Sequence, residues 1–113
     1  MLKNTSKGKV LAKDVEFCRS IFSKAFGLMF RKKIKDRALV FVFSEEQPVP
    51  LHNLFVFQAI DVLFLDSKKK VVEIKRNFRP FTFYNPKKKA KYVIELPCGA
   101  AKKVAPGDTI TFK

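Results

Sequence analysis

The 113-residue chain carries 24 Lys and Arg against 10 Asp and Glu, a formal net charge of +14, and is 47% hydrophobic with thirteen Phe and no Trp. That length supplies one core and not two, and the apolar content closes it without staples, which excludes a chain disordered as a whole. No apolar run approaches the roughly 18 residues of a membrane-spanning helix, since residues 40–43 are cut off by 44–50 and 62–65 by 66–70.

In chain order, residues 1–8 read as a flexible N-terminal arm and 9–113 as a single β-rich domain. The arm is polar and basic with no apolar stretch behind it, so no secretory signal is expected and a cytoplasmic location is. Val10 with Ala12, then Val15 with Phe17, predict two short extended pieces. From Ser20 the spacing changes: Ile21, Phe22, Ala25, Phe26 and Met29 recur at three and four residues, predicting a short helix over 20–27, with Gly27 ending or bending it.

Leu39 to Phe43 is an unbroken apolar run whose length suits a strand buried on both faces. A loop is expected over 44–50, where Pro48 and Pro50 forbid a central strand. Residues 51–57 and 60–66 then read as strands, and the turn composition of 66–70 joins the second of them to a strand from Val71 in a hairpin. Residues 78–86 form an aromatic loop with Phe78, Phe81, Phe83 and Tyr84 between two prolines, followed by Lys87, Lys88, Lys89 and Lys91. A strand over 92–96 follows, with Glu95 facing away from Ile94 and Leu96. One helical turn over 99–104 and a tight turn at Pro106, Gly107 and Asp108 lead into the last strand, 109–112. Short strands separated by turn signals predict a mainly β, compact barrel or sandwich-like domain, with the helix packed across one end.

Several of these segments resemble a known family, DUF192. Gly27-Leu28-Met29-Phe30-Arg31 matches the family's Gly-Leu-Met-Phe-Arg after a short helix. The run from His52 to Asp66 resembles its central aromatic block ending in Pro-Ile-Asp-Val-x-Phe-Leu-Asp, with Ala59 where proline is common. The run from Lys91 to Gly99 resembles Tyr-Val-Leu-Glu-Leu-Pro-Ala-Gly, with Cys98 for alanine, and Gly107-Asp108 recurs at the expected distance. The tryptophan usual near Phe81 is missing. The resemblance covers residues 14–112 in order and implies a compact β-rich domain with one short helix; it brings no reaction, cofactor or catalytic residue set.

The candidate functional residues are therefore weighed on their own chemistry. His52 and Asp61 form a possible acid–base pair for a small hydrolase, but no Ser or Cys sits in a nucleophile context, and a strand histidine is commonly structural. Arg31 and Asp61 form a possible buried pair that either fixes the helix or holds an anion. Cys18 and Cys98 lack any CxxC or Cys/His spacing and are expected to pack as small hydrophobes, with no metal and no cofactor. Phe55, Phe57, Phe81, Phe83 and Tyr84, near Lys87, Lys88, Lys89 and Lys91, have the composition of single-strand nucleic-acid platforms without any recognised motif. The expected function is that of a non-enzymatic binding or accessory domain of unknown partner, with a nucleic-acid-binding module as the alternative and a His52 hydrolase as the weakest reading.

Overall fold

A computed structural model of the chain describes residues 1–18, 37–52 and 59–112, apart from the side chains of Cys18 and His52. The described residues form β1 (Leu2–Asn4), β2 (Lys9–Ala12), β3 (Asp14–Cys18), β4 (Arg37–Gln47), β5 (Leu51–His52), β6 (Ile60–Leu65), β7 (Val71–Phe78), β8 (Phe83–Tyr84), β9 (Ala90–Pro97) and β10 (Ile110–Phe112). The predicted helix over 20–27 lies outside them. None of the described residues forms a helix long and apolar enough to cross a membrane.

The apolar runs occupy the middle of a five-stranded sheet in the order β3-β4-β9-β6-β7. Every residue of β6 is buried, and so are Leu39, Val40, Phe41 and Phe43 of β4, because alternate side chains feed two separate cores. Leu39, Phe41, Ile60, Val62, Phe64 and Val93 face one core, completed by Leu51 and Tyr84 from the β5-β8 pair. Val40, Leu63, Leu65, Ile94 and Leu96 face the other, closed by Leu2, Ala12, Ile110 and Phe112 from the sheet β10-β1-β2. Each fully buried Leu, Ile or Phe contributes roughly 1.5–3 kcal/mol relative to exposure, which explains why a strand with two apolar faces settles at the centre.

This layering corrects several expectations. The barrel does not close: β3 and β7 are the edges of the five-stranded sheet, and no pairing among the described residues joins them. The segment expected to be a flexible arm carries β1, paired antiparallel with β10 through Leu2↔Phe112 and with β2 through Leu2↔Ala12, because burying Leu2 and Asn4 outweighs the freedom of a loose end. Strand β4 continues past Ser44 to Gln47, re-entering register with Ala90 across an irregularity, and stops only at Pro48. Glu95 does point away from Ile94 and Leu96, yet that side is also core, and Glu95 is buried.

The hairpin of β6 and β7 forms as predicted, its turn fastened by Asp66, whose Oδ1 accepts the N–H groups of Lys68 and Lys70 at 2.9 Å. Residues 97–104 make successive tight turns instead of a helical turn, with bonds from Ala100 N to Pro97 O, Lys102 N to Gly99 O and Val104 N to Ala101 O.

Candidate nucleic-acid interface

Strand β7 positions the site. Its register places Glu73 opposite Phe64 and Lys75 opposite Val62, so both carry their side chains toward the face on which the β5-β8 pair lies. Leu51 pairs with Tyr84 and His52 with Phe83, which fixes the aromatic loop beside that face. Tyr84 is half-buried, its ring 5.9 Å from Phe64, and its hydroxyl donates to Glu73 Oε2. The other Glu73 oxygen accepts the backbone N–H groups of Lys87 and Lys88 at 2.8 and 2.9 Å. One carboxylate thus ties the aromatic loop and the start of the lysine run to β7, while the side chains of Lys87, Lys88 and Lys89 remain exposed.

Burial first, and then the Glu73 hydrogen bond and charge, push the Tyr84 hydroxyl up to about 12. Ionising it would place a second negative charge beside the carboxylate in a partly desolvated setting. Lys75 lies over the Tyr84 ring, its Nζ 5.4 Å from the centroid, a cation–π contact.

An open groove of about 420 Å³ runs along this edge, lined by Lys75, Arg76, Asn77, Arg79, Thr82 and Phe83. Phe83 is 72% exposed and Phe81 60%. Phe81 also has φ of 62°, a backbone conformation rare for a bulky residue, and Asn77 has φ of 52°. Arg76 is engaged elsewhere: its guanidinium donates to the carbonyls of Ala101, at 3.3 Å, and of Val104.

The other candidate residues fall in different places. Asp61 is buried, and its partners among the described residues are backbone amides: Oδ1 accepts Asn77 N–H at 3.0 Å, and Oδ2 accepts Gly99 and Ala101 N–H at 2.9 and 3.0 Å. Arg31, Phe55 and Phe57 lie outside the described residues, as does the side chain of His52. Lys91 approaches the ring of Tyr92, 5.9 Å from its centroid, on the strand after the run. Cys98 is exposed in the turn after β9, which corrects its reading as a packed small hydrophobe; its thiol meets Asn77 Oδ1 at 3.6 Å. Local desolvation and then the Asp61 charge hold that thiol above its ordinary range, in the protonated form.

The residue that organises this surface, Glu73, escaped sequence reasoning. Its only local signal is a lone acid among lysines in a strand that continues a hairpin, and its partners lie more than ten positions away.

The DUF192 family model, described as "Uncharacterized ACR", matches residues 2–112. The chain belongs to this family. Among its relatives, a UPF0127 protein of Thermococcus sibiricus is 44% identical over 101 residues, covering 88% of this chain. The chain spans 64% of that protein's length, just under two thirds. A UPF0127 protein of Pyrococcus furiosus is 41% identical over 98 residues, covering 85% of this chain and 82% of the relative. Two solved structures share the fold with a TM-score of 0.79 each: a candidate transcription regulator from Sinorhizobium meliloti, 28% identical over 86% of this chain and 79% of that one, and a protein of unknown function from Novosphingobium aromaticivorans, 22% identical over 87% and 74%. The two solved structures thus have the fold of this chain.

Proposed function

We propose that this DUF192 domain is a non-enzymatic binding module that takes single-stranded nucleic acid along the outer edge of β7. The observation that carries the reading is the exposure of Phe81, on the turn between Arg79 and Thr82, and of Phe83, at the start of β8, beside the groove cation Lys75. The domain buries Phe41, Phe43, Phe64, Phe78 and Phe112, so the large solvent-accessible areas of Phe81 and Phe83 stand out as a surface suited to a further partner. Bases are suitable partners, since each has a π-face and stacking on an aromatic contributes roughly 1–3 kcal/mol. The left-handed backbone at Phe81 is in keeping with a side chain held outward for use.

The lysine run supplies the second component. Glu73 fixes the backbone of Lys87 and Lys88 to β7, and their exposed side chains are cations available to phosphates. The net charge of +14 adds long-range attraction for any polyanion. The description of the Sinorhizobium meliloti protein as a candidate transcription regulator favours the same class of partner.

Fluorescence anisotropy with labelled single- and double-stranded DNA and RNA at physiological salt tests the proposal. Micromolar binding that prefers single strands supports it. Absence of binding to all four probes would sink it and leave the lysines as a solubilising coat.

A further inference from the structure

A second hollow, of about 260 Å³, opens beside β2 and the turns of residues 99–104, formed by residues other than those of the β7 groove. Its apolar wall is Val10, Leu11 and Val104, and its cations are Lys9, Lys102 and Lys103. No carboxylate lines it among the described residues, and none of the three ammonium groups has an ion-pair partner among them. The two acids bonded to its lining residues are engaged: Asp61 accepts backbone N–H groups, including that of Gly99 at 2.9 Å, and Asp108 is held by Lys7 at 3.1 Å, Asn4 at 2.8 Å and the Ala105 N–H at 2.9 Å, while Lys7 also donates to the Lys103 carbonyl at 2.6 Å.

The walls are built before any ligand arrives. Asn4, on the floor, is 1% exposed and fixed through its Nδ2 to Asp108. The turns are clamped by Asp61 from the amide side and by Arg76 from the carbonyl side. Gly99 adopts φ of 95°, and the position of a Cβ there would meet nothing within 4 Å, so this rim stays open.

We propose that this hollow binds a small amphipathic carboxylate, with its apolar body against Leu11 and Val104 and its head among Lys9, Lys102 and Lys103. Apolar contact in a preformed pocket supplies affinity, and the uncompensated cations supply the preference for an anion. The described lining contains no aromatic ring, so base stacking is not what this hollow offers.

Octanoate, octanol and inorganic phosphate serve as probes, each titrated against the isotope-labelled full chain while amide shifts are followed. Octanoate should saturate with shifts centred on residues 9–11 and 99–104, and octanol and phosphate should each bind about tenfold more weakly or not at all. Lys102→Glu with Lys103→Glu, both at exposed positions, should weaken octanoate by about tenfold or more, since two attractions become repulsions. Non-saturable octanoate shifts, shifts centred elsewhere, equal affinity for octanol, or an unaffected double variant would each overturn the proposal. Because these probes need neither Phe81 nor Phe83, the result is independent of the nucleic-acid reading.

Discussion

Asp61 and Arg76 grip Ala101 by its two backbone poles: the Asp61 carboxylate accepts the Ala101 N–H at 3.0 Å, while the Arg76 guanidinium donates to the Ala101 carbonyl at 3.3 Å. Asp61 sits on the interior strand β6 and Arg76 on the edge strand β7, so the turns over 97–104 are fastened to both. Because Asp61 is 2% exposed and satisfies three backbone donors, Asp61→Ala leaves all three without their acceptor. The variant should lose about 3 kcal/mol or more of unfolding free energy, measured by chemical denaturation. An unchanged midpoint would mean that water replaces the carboxylate at no cost.

Acid sensitivity should be traceable to Asp108. The Ala105 amide first, then the Asn4 side chain and Lys7, hold its carboxyl below the ordinary aspartate range. A carboxyl with a depressed value in the fold stabilises it above the unfolded value of about 3.9, and that contribution drains away as pH falls toward the folded value. Denaturation midpoints followed from about pH 5 to about pH 2 should therefore fall more steeply for the native chain than for Asp108→Asn. Parallel acid branches would remove Asp108 from the account.

What the sequence made legible was local. The β6–β7 hairpin could be read because an apolar run, a turn of Asp, Ser and Lys and an alternating strand are contiguous, and the burial of Leu39, Val40, Phe41 and Phe43 because no polar residue interrupts their run. Strand β1 was hidden because it is three residues long with Lys3 at its centre, and although β2 is close in sequence, its other neighbour, Ile110, Thr111 and Phe112, lies at the far end of the chain. The parallel pairing of Val15 with Ala38 was hidden for the same reason: nothing local encodes a partner beyond a long connection. Of the candidate site, the aromatic loop and lysine run were visible as composition. That Tyr84 turns inward to Glu73 while Phe81 and Phe83 turn outward depends on the β5-β8 register, which composition does not carry.

Tyr84 offers a spectroscopic test of that inward turn. The chain has two tyrosines, and an ultraviolet titration should show one ionising near the value of about 12 expected for Tyr84. Glu73→Gln removes the charge but not the burial, so the ionisation should move down only part of the way toward the ordinary value. A folded value raised above the unfolded one stabilises the fold fully below the unfolded value of 10.0, and this stabilisation is lost as pH rises toward about 12. Both tyrosines titrating at the ordinary value would place the Tyr84 hydroxyl in water.

The nucleic-acid reading makes its sharpest prediction in the separation of stacking from charge. Phosphate neutralisation releases counterions and shows in the salt dependence, whereas stacking on an aromatic ring is nearly blind to salt. Replacing Lys87, Lys88 and Lys89 together by Ala should flatten the logarithmic salt slope for a single-stranded probe by about two units if all three meet phosphates. Phe83→Ala should weaken binding by roughly 1–3 kcal/mol and leave the slope intact, because the ring carries no charge. Tyr84→Phe supplies the internal contrast: its hydroxyl serves Glu73 within the fold, so affinity should hold while the tyrosine titration loses its high step. If Tyr84→Phe abolished binding and Phe83→Ala did nothing, the stacking surface would have to lie on the inner side of the loop. If all the variants lowered affinity in proportion to lost charge alone, attraction to the +14 chain would be non-specific, and the exposed aromatics would need a different partner.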